Sequence, residues 1–166
     1  IFDNEKMPSL IKYKKLHNRL IVLDGWSKTY CMTGWRLGWS VWPDKYIDFA
    51  NKLCVNNHSC PTSISQYAGI EALQGPQDDL RNIINEFEKR KIFLHKEINK
   101  LKNISCFKPG GAFYVFPKVT HPGMDTMEYC SLMLEEAGVC TVPGEHFGPR
   151  GKGHIRMCYS GTSVSE

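Results

Sequence analysis

The feature that most constrains the fold of this 166-residue chain is a long apolar stripe. Leu80, Ile83, Ile84, Phe87, Leu94, Ile98 and Leu101 recur at helical spacing with charged residues between them. That spacing predicts one amphipathic helix of more than roughly twenty residues, whose apolar face has to be buried against other elements. Lys91 interrupts the stripe, so a kink or a change of packing partner is expected there. A domain boundary is placed inside this helix, near residues 76–90, where one helix could bridge two lobes. The division expected is residues 1–80 as one domain and residues 81–166 as another.

Shorter elements surround it. Arg19-Leu20-Ile21-Val22-Leu23-Asp24 is a branched apolar run that ends at Gly25 and reads as a buried strand. Leu37–Trp42 reads as a second strand stopped by Pro43, which then opens a helix through about Cys54 with Tyr46, Ile47, Ala50 and Leu53 on one face. Ser63 and Gln66 have capping-box spacing for a helix to Gln74, stopped by Gly75-Pro76. Ile104–Lys108 and Ala112–Phe116, joined by Pro109-Gly110-Gly111, resemble a hairpin. Asp125 and Glu128 form a second capping box for a helix ending near Gly138, and Val139–Val142 and His154–Tyr159 read as strands. Strands and helices alternate early, with a compact α+β tail afterwards: an α/β class.

Composition excludes several functions. Hydrophobic residues make up 42% and charged residues 23%, which is ordinary for a globular chain and unlike a disordered one. The net charge of +4 is spread along the chain without a basic stripe, so a nucleic-acid partner is not expected. No apolar run is long enough to span a membrane. The 7 cysteines are odd in number, irregularly spaced and form no CxxC, which fits reduced thiols in a cytoplasmic setting rather than a secreted disulfide framework. The N-x-S triplets at Asn57 and Asn103 are read as unused.

The chemistry concentrates after the first strand. Lys28 sits at a strand-to-loop turn, the end of strands where open α/β sheets carry their sites. Held among Trp26, Tyr30 and Trp35 it would be partly desolvated, which frees an amine for Schiff-base chemistry. Ser27, Lys28, Thr33, Gly34, Arg36 and Gly38 fall in one short segment. Hydroxyls, glycines and an arginine suit a phosphate, and a reactive lysine beside a phosphate clamp suggests pyridoxal phosphate. The alternative is a turn with a surface arginine. Arg156 points away from the face shared by Ile155, Met157 and Tyr159, and could pair with a substrate carboxylate or simply lie in solvent on an edge strand. Rival motifs are weaker. Gly148–Gly153 lacks the Walker spacing, Cys54, His58 and Cys60 lack further zinc ligands, so no metal is expected, and no GxSxG elbow occurs.

Ser27-Lys28-Thr29-Tyr30-Cys31-Met32-Thr33-Gly34-Trp35-Arg36-Leu37-Gly38-Trp39 resembles the Schiff-base lysine motif of class I/II aminotransferases, which have the type I pyridoxal-phosphate fold. Ser59–Ala68 is similar to the segment that leads into the next helix of that family, Pro109–Pro117 to its small-domain hairpin, and Val142–Gly148 with Ile155-Arg156 to its carboxylate-arginine region. The resemblance covers essentially the whole chain. It implies the C-terminal part of such an enzyme: residues 1–80 a remnant of the large, cofactor-binding domain and its sheet, residues 81–166 the small α+β domain.

The resemblance also implies roles. Lys28 would hold pyridoxal 5'-phosphate and shuttle the proton between the substrate Cα and the cofactor. Arg36 would bind its phosphate with Ser27 assisting, and Arg156 would hold the α-carboxylate. Phe147 and the Gly110-Gly111 turn would line the substrate side. Homodimers are the family habit. Gly25 stands where many members have a further phosphate-binding serine. The family's aspartate at the pyridinium nitrogen, with the asparagine and tyrosine at the ring oxygen, lies upstream of where this chain begins, and its C-terminal helix is expected to extend past Glu166. The expected activity is amino-group transfer from an α-amino acid to a 2-oxo acid, of aspartate, aromatic or kynurenine type. The fragment alone is expected to have little or none of it. The alternatives are a C–S β-lyase of the same fold and a non-catalytic fragment serving as an interaction module.

Overall fold

A computed structural model describes residues 1–3 and 5–161, so the last part of the 81–166 domain expectation lies outside the described residues. The chain divides into two compact units, Met7–Arg81 on one hand and Ile1–Lys6 with Asn82 onward on the other.

In the unit Met7–Arg81, β1 (Val22–Gly25) is followed by the single-turn helix α1 (Trp26–Thr29), β2 (Gly38–Val41), α2 (Ile47–Asn57) and α3 (Ser63–Gln74). β1 and β2 pair antiparallel, from Val22 opposite Val41 to Gly25 opposite Gly38. β1 was expected to be buried, yet Leu23 is 73% exposed. The reason is the ribbon itself: among the described residues it has only two strands, too few to cover both faces. Pro43 precedes a 3-10 turn, Asp44–Tyr46, which feeds α2. Met32, Leu37 and Ala50 are buried.

Helix α3 has the expected bounds and stops at Gly75, but its capping box does not form. The Thr62 hydroxyl donates to Ser65 Oγ (2.9 Å), Ser65 Oγ to the Trp35 carbonyl (2.9 Å), and Gln66 Nε2 to the Pro61 carbonyl (2.9 Å). Ser65 and Gln66 thus bind the preceding chain, and Thr62 at the N-cap binds Ser65 Oγ instead of a helix amide. α3 also accepts a bond at the Gly69 carbonyl from Trp26 Nε1 (3.1 Å), which ties it to the turn carrying Lys28.

The other unit holds most of α4 (Asp78–Ile98), then β3 (Ile104–Ser105), β4 (Tyr114–Val115), β5 (Lys118–Val119), α5 (Thr126–Ala137), β6 (Val142–Pro143) and β7 (Ile155–Cys158). The expected hairpin is absent: β3 pairs with β5, and β4 joins the three-stranded antiparallel sheet β4-β7-β6. Pro109 lacks a donor N–H and Ala112 takes a left-handed φ of 63°, so the chain leaves extended geometry between the two segments. The apolar stripe of α4 meets this sheet, with Ile98, Cys106, Val115 and Tyr159 at the centre and Phe87, Leu94 and Phe113 packed on them. A second cluster, Val119, Cys130 and Ile155, lies under α5. The α5 capping box forms as expected, with Glu128 N donating to Asp125 Oδ1 and Asp125 N to Glu128 Oε2, both at 2.9 Å, and Gly138 ends the helix at φ 66°.

Lys91 marks a change of packing partner, not a break, because α4 is continuous through it. The side chain is fully buried. Its Nζ lies 3.1 Å from Asp3 Oδ2, 3.4 Å from Glu88 Oε1 and 4.5 Å from the Phe2 ring centre. A buried ammonium needs such partners to offset its lost hydration. Phe2 N also donates to the Gly110 carbonyl (3.0 Å). These contacts are why Ile1–Lys6 belongs with the unit of Asn82 onward, where the sequence division had residues 1–80 together.

Candidate active site

β1 ends at Gly25, whose N–H is held by Asp24 Oδ1 at 2.7 Å, and the chain turns at once into α1. A Cβ at Gly25 would stand 3.0 Å from the Leu37 carbonyl, so a glycine lets β1 and β2 approach closely here. That approach brings the two ends of the Lys28 motif together. Ser27, Lys28 and Arg36 line one cavity of about 390 Å³ with Asp24, Gly25, Thr29, Leu37 and Gly38. The size is that of a small-molecule site. Arg36 adopts a left-handed φ of 52°, and its Nη1 donates to the Thr33 carbonyl at 2.8 Å. The bond fixes one corner of the guanidinium and leaves the rest of its fork for an anion.

The donor set fits a phosphorylated aldehyde: an amine, a guanidinium and hydroxyls around one concavity. One expectation changes. Lys28 is exposed and Trp35 is exposed beside it, while Trp26 and Tyr30 are half-buried. The Lys28 side chain is therefore not buried within this unit, because the two-stranded ribbon walls the cavity on one side only.

Arg156 lies on β7 in the unit of Asn82 onward. Ile155 and Tyr159 are buried on the other face, as the alternation requires. The Arg156 Cζ is 4.5 Å from the Tyr114 ring centre and 4.6 Å from that of Phe147. Phe147 is expected on the substrate side, and the structure sets it against this arginine. Tyr114 was not singled out, although the alternation of β4 could have shown it. The Gly148–Gly153 loop serves packing here, through the 3-10 turn Pro149–Gly151. Glu145 Oε1 accepts from Thr126 Oγ1 (2.8 Å) and Gly153 N (3.3 Å). Its carboxyl is held below the usual range by its own backbone N–H first, then by the Thr126 hydroxyl. Cys54, His58 and Cys60 line the wall of a wide surface cleft, and among the described residues no group of His, Cys, Asp or Glu is arranged to hold a metal ion.

A family model described as aminotransferase class I and II matches residues 2–166. The chain belongs to that family. It is 33% identical over 162 residues to aromatic-amino-acid aminotransferase 2 of Thermococcus litoralis, covering 96% of this chain and 41% of that protein. It is 35% identical to an aspartate aminotransferase of Pyrococcus abyssi, with the same coverage. Among solved structures, the aromatic aminotransferase of Pyrococcus horikoshii OT3 superposes with a TM-score of 0.91 at 34% identity, over 98% of this chain and 44% of that one. The aspartate aminotransferase of Rhizobium meliloti gives 0.89 at 32% identity, over 99% and 43%. The chain thus spans about two fifths of the length of the relatives it matches, and its α/β fold is that expected of the C-terminal part of a type I aminotransferase.

Proposed function

We propose that the protein to which this chain belongs transfers an amino group from an α-amino acid to a 2-oxo acid, with pyridoxal 5'-phosphate as cofactor and a substrate of aspartate, aromatic or kynurenine type. The observation that carries this reading is the convergence of Ser27, Lys28 and Arg36 on one cavity. The activities of these relatives, aromatic and aspartate aminotransferases, support the substrate class.

When bound, pyridoxal phosphate supplies an electron sink for the substrate carbanion. The chain's own residues do the rest. Arg36 holds the phosphate through the N–H groups it does not give to Thr33, with the Ser27 hydroxyl beside it. Lys28 Nζ would hold the cofactor at its aldehyde group and, once the substrate amine has displaced it, would carry the proton at the substrate Cα. Arg156 binds the substrate α-carboxylate. The cofactor-binding domain of the 1–80 division keeps Met7 onward, and Ile1–Lys6 goes with the small domain, 81–166, in this reading. A homodimer belongs to it as well. The exposed apolar side chains Phe49, Leu53 and Val55 on α2 and Ile64 and Tyr67 on α3 support a cover supplied by the rest of the protein or a second copy. Free thiols at all the cysteines support a cytoplasmic setting. The exposure of Lys28 supports little or no turnover by these 166 residues alone.

The test uses the full-length protein with pyridoxal phosphate and either aspartate or phenylalanine. Cofactor recovered as the amine form, and lost on Lys28→Ala, is the expected result. Release of pyruvate, ammonia and a thiol from an S-alkylcysteine, with no amine-form cofactor from aspartate or phenylalanine, would mean elimination, and an unchanged Lys28→Ala spectrum would overturn the site.

A further inference from the structure

The Arg156 guanidinium has no ion pair or hydrogen bond with the described residues, yet it is not loose: two aromatic rings stand against it. We propose that Tyr114 and Phe147 are positioning residues that hold the Arg156 side chain so that its N–H edge meets a planar carboxylate. This rests on Arg156 taking the α-carboxylate, as proposed above.

The sheet order makes the arrangement. β7 is the middle strand, with β4 on one side and β6 on the other. Tyr114 of β4 stands opposite Cys158, so it is the diagonal neighbour of Arg156 on the same face, within reach for long side chains. Phe147 arrives from the opposite flank, at the end of the 3-10 turn Gly144–Phe147 that follows β6. Each ring is itself braced. Tyr114 packs on Phe113 with centroids 4.6 Å apart. Phe147 meets the Phe116 edge at 6.0 Å, and Phe116 stacks on His154 at 5.2 Å with planes 10° apart.

The chemistry follows from the guanidinium's anisotropy. Rings attract its charge over their π-faces, whereas hydrogen bonds leave it in its own plane. Ring contacts therefore restrict the rotamers of a long side chain without using the N–H donors that a carboxylate needs. An arginine fixed by a carboxylate partner would already have spent those donors. Restriction before binding lowers the entropy lost when substrate arrives.

The experiment uses the full-length, pyridoxal phosphate-loaded protein carrying Phe147→Leu, Tyr114→Leu, Tyr114→Phe or Arg156→Leu. Two readouts are taken: the Kd of phenylpropionate, a carboxylate without an amine to react, and half-reaction kinetics with phenylalanine against phenethylamine, which lacks the carboxylate. Each ring-to-Leu change is expected to raise the phenylpropionate Kd and the phenylalanine KM roughly fivefold to thirtyfold, with kcat changed less than about twofold. Tyr114→Phe should restore both, and the ring-to-Leu changes should cost less with phenethylamine than with phenylalanine. Should Tyr114→Leu fail to fold, Phe147→Leu decides, because that ring is 52% exposed and its loss is tolerated by the core. A Kd within about twofold of the wild type in Phe147→Leu, with a clear loss in Arg156→Leu, overturns the positioning role alone. No loss in Arg156→Leu overturns the carboxylate reading beneath it. An equal loss with phenethylamine also overturns the positioning role, since it would mark a general structural defect.

Discussion

Gly144 and Gly151 offer the sharpest stability test. They meet backbone to backbone: a Cβ built on either overlaps the other's carbonyl group, and one on Gly144 would also stand 2.7 Å from the His154 carbonyl oxygen. Neither has a left-handed φ, so space, and not conformation, demands glycine. Both are buried. In Gly151→Ala the two 3-10 turns have to separate. Overpacking of this kind costs about 1–3 kcal/mol. Separation also strains the bond from Gly144 N to the His154 carbonyl, 2.7 Å long. Leaving a buried donor unpaired costs about 1–3 kcal/mol more. Alanine's lower freedom in the unfolded chain returns about 0.4–1 kcal/mol. The net expectation is a loss of about 1–6 kcal/mol. Equilibrium urea unfolding followed by far-ultraviolet circular dichroism measures it. Gly110→Ala is the control, because a Cβ there meets nothing within 4 Å. It should change stability by no more than about 1 kcal/mol, in the stabilising direction. A Gly151→Ala variant as stable as wild type within about 0.5 kcal/mol would refute the close crossing. Because the same turn delivers Phe147, the variant should also weaken phenylpropionate binding.

Other outcomes are expected. Burial pushes the Tyr159 hydroxyl up to about 12 from an ordinary value of 10.0, and it donates to the Ala112 carbonyl at 2.9 Å. A raised folded-state pKa favours the folded form below the unfolded value and ceases to do so above the folded one. Stability should therefore fall as the pH climbs from about 10 to about 12, and Tyr159→Phe should flatten urea midpoints across that window while losing about 1 kcal/mol at neutral pH. Asp125→Ala removes the α5 capping box and should cost about 1 kcal/mol, read as a lower Tm. Lys91→Ala empties a fully buried site, removes the cation beside Glu88 and leaves Asp3 with Lys108 alone at 2.9 Å; about 2–4 kcal/mol is expected, and Lys91→Met should recover part of it by filling the space. Amide hydrogen exchange along α4 reports both.

Elements fixed by short-range chemistry were legible in the sequence. The α4 stripe, the Asp125/Glu128 box and the Gly75 and Gly138 stops depend on residues within a turn or two of each other. Strand partners were not. Ile104–Ser105 and Tyr114–Val115 read as a hairpin because glycines join them, but each finds its partner elsewhere, β5 for one and β7 for the other. The Ser63/Gln66 pattern failed for a related reason. Thr62, not Ser63, takes the N-cap, so the Gln66 backbone N–H goes to the Thr62 carbonyl at 3.1 Å while Gln66 Nε2 reaches the Pro61 carbonyl, and nothing in the local spacing could rank those. Lys91 shows the same limit from the other side: its position in the stripe flagged an exception, but its partner Asp3 lies at the far end of the chain.

The candidate site divides along the same line. Lys28 and Arg36 come together because the ladder of β1 and β2 closes a short loop, and Gly25 opposite Gly38 allows the strands to meet; a motif of that length carries its own geometry. Burial of the Lys28 amine cannot be local, because shielding needs walls on several sides and one ribbon gives one wall. Arg156 repeats the pattern. Its direction follows from strand alternation, which the sequence displays, whereas the rings beside it come from β4 and from the turn after β6, which only the sheet order brings to one place. Motif chemistry therefore names the candidate groups, and long-range packing decides how strongly each is held. It follows that substitutions at Ser27, Lys28 or Arg36 should act on the chemical step and cofactor retention, while substitutions at Tyr114, Phe147 or the Gly144–Gly151 crossing should act on substrate affinity with the cofactor spectrum unaltered. Loss of the cofactor spectrum in Phe147→Leu would break that separation.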